Sequence, residues 1–183
     1  MLPKLELRSL LIADEGAFFQ GMKEWGEDKS WYTFEWKPGI SFQNHLLRLE
    51  KNSRGEDLEQ GRVPSSLFYG FVDGVIVGRM SIRHSLNDFL KVYGGHIGYA
   101  VAEKFRKKGY ASEMMRQTLP ICKLLGLSKV LATCDDKNVP SIKVIENFGG
   151  QLEETIWDEN HKRYTRRYWI ETTKDVSVTK FSM

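Results

Sequence analysis

Residues 95–113 read GHIGYAVAEKFRKKGYASE. The pattern predicts a strand from Gly94 to Ala102, then a basic turn, then a helix from about Tyr110 to Leu125. A helix that begins after such a turn presents free backbone N–H groups and the positive end of its dipole at one point. The turn adds the charges of Arg106, Lys107 and Lys108. The segment therefore predicts a site for a ligand that carries phosphate.

Two other kinds of phosphate loop fit this segment poorly. A nucleotide P-loop needs Gly-Lys followed by Ser or Thr, and this turn has no such tripeptide. A dinucleotide fingerprint needs its glycines between the strand and the helix, whereas Gly94, Gly95 and Gly98 precede or interrupt the strand. The ligand is therefore expected to be of another phosphate-bearing class.

Composition indicates an ordinary globular chain of one domain, residues 1–183, with a core of about residues 5–170. Of the 183 residues, 41% are hydrophobic and 28% are charged, and the net charge is only +3. No apolar run approaches the roughly 20 residues that span a bilayer. Cys122 and Cys134 lack the spacing of a metal site or a disulfide framework, which favours a cytoplasmic protein without metal.

Working outward, the pattern predicts strand, two helices, three strands, helix, strand, helix and two strands. Asp73-Gly74 between two apolar runs predicts a β-hairpin. Ser41 is expected to cap the second helix, with Leu46, Leu47 and Leu49 on one side. This order is typical of a mixed sheet with helices on its faces, in the α/β (α+β) class.

A second motif lies at Asn138-Val139-Pro140-Ser141, where a helix begins that ends at Gly149-Gly150. Read alone, this is a capped amphipathic helix with a glycine stop. Asn138 or a neighbouring residue is expected to supply the cap, and Pro140 is tolerated in the first turn.

Together, Arg106-x-x-Gly109-x-Ala111 and Asn138-x-x-Ser141 resemble the acyl-CoA motifs of the GNAT N-acetyltransferases, in the family's order and at about its separation. With Arg83-His84-x-Leu86-Asn87, the resemblance is to a branch of bacterial predicted acetyltransferases. It implies a mixed, mostly antiparallel sheet of six to seven strands with splayed central parallel strands and about four helices.

The resemblance implies acetyl-CoA as co-substrate and an acceptor amine that attacks the thioester directly. The turn would hold the pyrophosphate, and the backbone of the fourth strand would pair with the pantetheine, with an N–H near Val101 polarising the thioester oxygen. The implied cofactor-binding residues are Tyr99, Ala100, Val101, Arg106, Lys107, Lys108, Gly109, Tyr110, Ala111, Asn138 and Ser141.

The catalytic groups are less defined. Many family members carry a tyrosine, the presumed thiolate acid, four residues after the motif's serine, and this chain has Ile145 there. Ser141 is a substitute candidate for the acid. His96, His84 and Asn87 are candidates for the base, each with a structural hydrogen-bonding role as the alternative. Asp135, acting through water, is a further candidate.

The aromatic side chains Trp25, Trp31 and Trp36 are expected above the acceptor site, where they would wall a pocket. The alternative is a satellite hydrophobic cluster. The expected acceptor is a small-molecule or peptide amine, and the C-terminal strands could pair across a homodimer.

Three functions remain open from the sequence. An N-acetyltransferase is favoured, and Ile145 motivates a non-catalytic acyl-CoA-binding or sensor domain as the alternative. A nucleic-acid-binding domain is disfavoured because 24 acidic residues offset the basic ones and no recognisable nucleic-acid motif is present.

Overall fold

A computed structural model of the chain describes residues 4–25, 30–33, 36–159 and 161–172. One seven-stranded sheet has the order β1-β2-β3-β4-β5-β7-β6. The strands are β1 (Glu6–Arg8), β2 (Ser65–Val72), β3 (Val75–Arg83), β4 (Ile97–Val101), β5 (Lys129–Asp135), β6 (Gln151–Asp158) and β7 (Arg163–Glu171). The helices are α1 (Glu15–Glu24), α2 (Ser30–Thr33), α3 (Phe42–Arg54), α4 (Tyr110–Leu124) and α5 (Val139–Asn147).

Local sequence signals define the ends of several elements. Asp73 and Gly74 both have positive φ (49° and 78°), as a tight two-residue hairpin turn requires, and β2 pairs with β3 across it. The Ser41 side chain accepts from Asn44 N–H at 3.2 Å and caps α3. Gly126, with φ 80°, follows the end of α4. The hairpin turn and the Ser41 cap were predicted from the sequence, and both predictions are confirmed.

Two hydrophobic cores lie on opposite faces of the sheet. One joins β3, β4 and β5 to α4 and α5, with Met80, Met114 and Ile145 at its centre. The other joins the α1–α3 layer to β2 and β3 through Phe18, Tyr32 and Tyr69, among other aromatic side chains. The sheet is thus covered on both faces, as the predicted mixed architecture requires.

The central parallel strands separate soon after they meet. Within the described residues, the register of β4 with β5 consists of Ile97↔Ala132, and His96 N–H donates to Leu131 O at 2.7 Å just before it. Beyond Ile97, β4 remains paired with β3 only, while β5 pairs along its length with β7. The predicted splay is therefore present, and it opens toward the C-terminal end of β4.

The structure differs from the sequence prediction in three details. The one-turn helix α2 brings the described helices to five rather than about four. The fourth strand begins at Ile97, because Leu90–Gly94 forms a π-helical turn. The buried face of α3 carries Phe42 and His45, and Leu46 and Leu49 pack against the same core, whereas Leu47, expected on one side of the helix with these two leucines, is 48% exposed. In the described residues, no helix is both long and apolar enough for a membrane span.

Candidate functional site

Beyond Ile97, the edge of β4 that faces the gap is not paired with another described strand. Ala102 N–H donates to Val77 O in β3 at 3.0 Å. Because successive backbone groups along a strand point to opposite sides, the amides of Tyr99 and Val101 are directed away from β3, toward the gap. The carbonyl of Val101 accepts from Arg106 Nε at 3.2 Å, which agrees with that direction. The gap can therefore hold an extended ligand that pairs with β4.

A cavity of about 550 Å³ lies beside this gap, between β4, the start of α4 and the first turns of α5. It contains ten of the eleven residues predicted from the two motifs. Its lining residues are Tyr99, Ala100, Val101, Phe105, Arg106, Lys107, Gly109, Tyr110, Ala111, Ser112, Asn138, Pro140, Ser141 and Val144. Two motifs that are separated along the chain thus meet at one cavity.

The start of α4 forms the basic end of the cavity. Gly109 occupies the cap position before the helix, with φ 80°. As a glycine, it has no side chain that could bond to the first amides of α4. Lys107 also has positive φ, 62°, so the turn folds back sharply before the helix begins. The first N–H groups of a helix have no partner within it, and here no side chain replaces one at the cap. An anion is suited to this position, next to Arg106 and Lys107.

Lys108 differs from its neighbours in the turn. It is exposed, it does not line the cavity, and its Nζ lies 5.7 Å from the centre of the Phe105 ring. The role of Lys108 in cofactor binding therefore stays a prediction, and its position in the structure does not support that role.

The start of α5 forms the opposite wall. Asn138 Oδ1 accepts from Ser141 N–H at 3.1 Å, which confirms the predicted cap. This bond fixes the first turn, and Ser141 Oγ then lies 3.0 Å from the hydroxyl of Tyr99. Burial raises the pKa of Tyr99 to about 12, while the bond to Ser141 opposes that rise. Two hydroxyl groups therefore meet at the cavity wall.

Sequence reasoning missed the Tyr99 side chain, since it considered only the backbone of this residue. The signal was available: Tyr99 and Val101 alternate onto the face of β4 that packs with α5. Ile145, at the position where a tyrosine was expected, is 1% exposed and packs in the core.

The candidate base residues have other partners and do not line the cavity. His96 is buried, and its Nδ1 accepts from Leu131 N–H at 2.9 Å, so it bridges β4 and β5. Burial and nearby Arg83 lower its pKa to about 4. His84 Nε2 lies 2.8 Å from Ser66 Oγ, and burial lowers the pKa of His84.

Asn87 and Asp135 are likewise engaged in local structure. Asn87 donates to Gly61 O at 2.8 Å and accepts from Leu90 N–H at 2.9 Å. Asp135 accepts from Lys137 N–H at 2.8 Å, as in a turn. The geometry thus gives each of these four polar residues a structural role.

The aromatic segment packs as a cluster. Trp25 lies 4.8 Å from Tyr32 between ring centres, and Trp36 lies 5.7 Å from Phe18. Both belong to the core on the α1–α3 side and neither lines the cavity beside β4. The side chain of Trp31 lies outside the described residues. Among the described residues, no three His, Cys, Asp or Glu side chains lie close enough together to hold a metal ion.

Known proteins share both the sequence pattern and this fold. The acetyltransferase (GNAT) domain model matches residues 4–151. The uncharacterized N-acetyltransferase YnaD of Bacillus subtilis (strain 168) is 30% identical over an alignment 95 residues long, and the match covers 44% of this chain and 56% of that protein. The match thus spans little more than half the length of this relative.

Two solved structures illustrate the likeness in fold. Ribosomal-protein-S5-alanine acetyltransferase from Vibrio fischeri has a TM-score of 0.66 and 15% identity, with 95% of this chain and 96% of that one covered. RimJ from Mycobacterium smegmatis, in complex with CoA-disulfide, has a TM-score of 0.62 and 20% identity, with 91% and 81% covered. The domain match extends over most of the sequence and includes both motifs that meet at the cavity, so the chain belongs to the GNAT acetyltransferase family.

Proposed function

We propose that this chain is an acetyl-CoA-dependent N-acetyltransferase that transfers an acetyl group to the primary amine of a small molecule or peptide. The observation that carries the proposal is the cavity itself, where an uncapped helix start beside Arg106 and Lys107 adjoins the unpaired edge of β4. A ligand with a pyrophosphate at one end and an extended arm matches that combination.

The residues present fit the parts of acetyl-CoA. The pyrophosphate would accept hydrogen bonds from the first amides of α4 and from the side chains of Arg106 and Lys107. The pantetheine arm would lie along Tyr99 to Val101, with Asn138 and Ser141 opposite. The apolar side chains of Pro140 and Val144 would cover its carbon atoms.

In the proposed reaction, the acetyl group passes directly from the thioester to the acceptor. A neutral amine attacks the thioester carbonyl, whose oxygen accepts from the amide of Val101 or a neighbour on the gap edge. We assign removal of the amine proton to water, since His96, His84 and Asn87 do not line the cavity. The chain would act in the cytoplasm, where free Cys122 and Cys134 stay reduced.

The acceptor class is supported by relatives alone. The Vibrio fischeri neighbour is named for an alanine of a ribosomal protein, which favours a peptide N-terminus among the amines to be tried. A release assay for free CoA thiol, run with polyamines, amino acids, aminoglycosides and peptide N-termini, identifies it.

Calorimetry with acetyl-CoA tests the cofactor site. We expect wild-type protein to bind, and the double variant Arg106→Gln/Lys107→Gln to bind about tenfold or more weakly, because charge-assisted hydrogen bonds to phosphate are lost. Lys123→Gln, at the far end of the same helix, removes a charge away from the cavity and is the matched control. No binding by the wild type at millimolar acetyl-CoA would contradict the proposal.

A non-catalytic acyl-CoA-binding domain remains the second candidate. It is favoured by the buried Ile145, which leaves no hydroxyl at that position of α5. Binding of acetyl-CoA without thiol release for any tested amine would support it, and robust turnover with one amine would exclude it.

A further inference from the structure

The hydroxyl of Tyr99 reaches from the sheet to the helix across the cavity wall. It lies 3.0 Å from Ser141 Oγ and 3.4 Å from the Ser141 carbonyl, although the two residues are 42 positions apart in sequence. Ser141 is held by the Asn138 cap, and Tyr99 is held by the pairing of β4 with β3. Both ends of the contact are thus anchored in regular structure.

The cavity has two chemically different ends. Tyr110 and Ser112 lie at the helix start with the basic turn, whereas Tyr99 and Ser141 lie further along β4 and in α5. Tyr99 precedes Val101 by two residues, which is roughly 7 Å of strand. A ligand anchored by its anion at the helix start therefore directs its other end toward the Tyr99–Ser141 pair.

We propose that the Tyr99 hydroxyl is the proton donor to the departing CoA sulfur, and that Ser141 positions it. This inference rests on the proposed acetyl transfer. In the proposed arrangement Ser141 Oγ–H donates to the phenol oxygen across the 3.0 Å contact. The other partner of the phenol proton, the Ser141 carbonyl, lies 3.4 Å away, which is longer than an ordinary O–H···O hydrogen bond, so a ligand in the cavity can compete for that proton. The Ser141 hydroxyl then also stabilises the phenolate formed during transfer.

The step balances in atoms and charge. The amine nitrogen forms a bond to the carbonyl carbon as the carbon–sulfur bond breaks, and the bonding pair goes to sulfur. Tyr99 gives its proton to that sulfur, and the phenolate regains a proton released by the amine nitrogen, through water. The products are an amide and a free thiol, with Tyr99 unchanged.

Burial acts on both the acid and the leaving group. The pKa of Tyr99 is raised to about 12 by burial, so the phenol stays protonated through the neutral range. A free thiol in water has a pKa of about 8.5, and burial disfavours the charged form, so a thiolate in the cavity is a stronger base than a thiolate in water. Burial of the leaving group therefore makes proton transfer from the phenol less unfavourable.

The pKa of the bound CoA thiol tests the assignment without any acceptor. Ultraviolet absorbance of the thiolate is followed as pH is raised, and the curve of the protein alone is subtracted to remove Cys122 and Cys134. Tyr99→Phe is expected to raise the pKa of bound CoA by about one, because the donor that stabilises the thiolate is lost. Tyr164→Phe, an exposed tyrosine of β7, is the matched control and should leave it unchanged.

Desulfo-CoA separates chemistry from packing. We expect Tyr99→Phe to weaken the binding of CoA by a larger factor than the binding of this sulfur-free analogue, and measurable binding of the analogue also shows that the variant is folded. An unchanged pKa of bound CoA in Tyr99→Phe would overturn the assignment, as would equal weakening of CoA and desulfo-CoA. Failure of the wild type to bind CoA would instead overturn the proposed function, and it is seen before any variant is made.

Discussion

At the scale of single residues, Gly95 determines how β4 meets β5. Its φ is +64°, and a Cβ there would lie 2.5 Å from the carbonyl oxygen of Leu131. Gly126 has a similar φ, +80°, with nothing within 4 Å of an added Cβ. Both glycines have a positive φ, which strains an L residue, but Gly95 also has ψ −175°, a region open essentially to glycine only, and a side chain there would meet β5.

Gly95→Ala should lower the free energy of unfolding by about 1–3 kcal/mol more than Gly126→Ala, because the added methyl clashes with backbone that cannot move aside. Urea unfolding of the two variants measures the difference. Equal losses would show that the close approach of Gly95 to β5 has no energetic consequence.

At the scale of elements, α3 and α5 begin with equivalent caps. Ser41 Oγ accepts from Asn44 N–H, and Asn138 Oδ1 accepts from Ser141 N–H, three residues on in each case. Only the second cap lines the cavity beside β4. Both caps were predictable because a cap depends on residues within one turn.

Ser41→Ala and Asn138→Ala should each cost about 1 kcal/mol of unfolding free energy. Only Asn138→Ala should also weaken acetyl-CoA binding, since Ser141 loses the bond that fixes it beside Tyr99. Urea unfolding and calorimetry on both variants distinguish the two effects. A similar loss of binding in Ser41→Ala would mean that acetyl-CoA binding depends on helix stability in general and not on the start of α5 beside the cavity.

At the scale of the whole molecule, two buried histidines should make stability depend on pH. Burial, with Arg48 nearby, lowers the pKa of His45 to about 4, and the pKa of His96 is similarly lowered. The unfolded chain takes up protons near a pKa of about 6.5, before the native state does. The stability that the two neutral histidines contribute is therefore complete above about pH 6.5 and is lost as the pH falls toward 4.

His45 lies among Phe18, Trp36 and Phe42, and within the described part of the chain neither ring nitrogen has a hydrogen-bond partner. His45→Leu should accordingly retain wild-type stability at about pH 7 and lose less of it at about pH 5. Urea midpoints at the two values test this. Parallel pH profiles for wild type and variant would contradict the role of His45.

The sequence by itself determined the order of the strands and of the four longer helices, the Asp73-Gly74 turn, the caps at Ser41 and Asn138, and the basic start of α4. All of these depend on residues within a few positions of one another, so local propensity and hydrogen bonding suffice. The family resemblance added the expected splay and the shared ligand of the two motifs.

Only the tertiary structure decided which side chains meet. It brought Tyr99 to Ser141 across 42 positions, and it placed His96 as a bridge from β4 to β5. It also assigned Trp25 and Trp36 to a packed cluster and buried His45 in place of Leu47. Such outcomes depend on which faces of strands and helices that are distant in sequence pack together, and no local pattern specifies that.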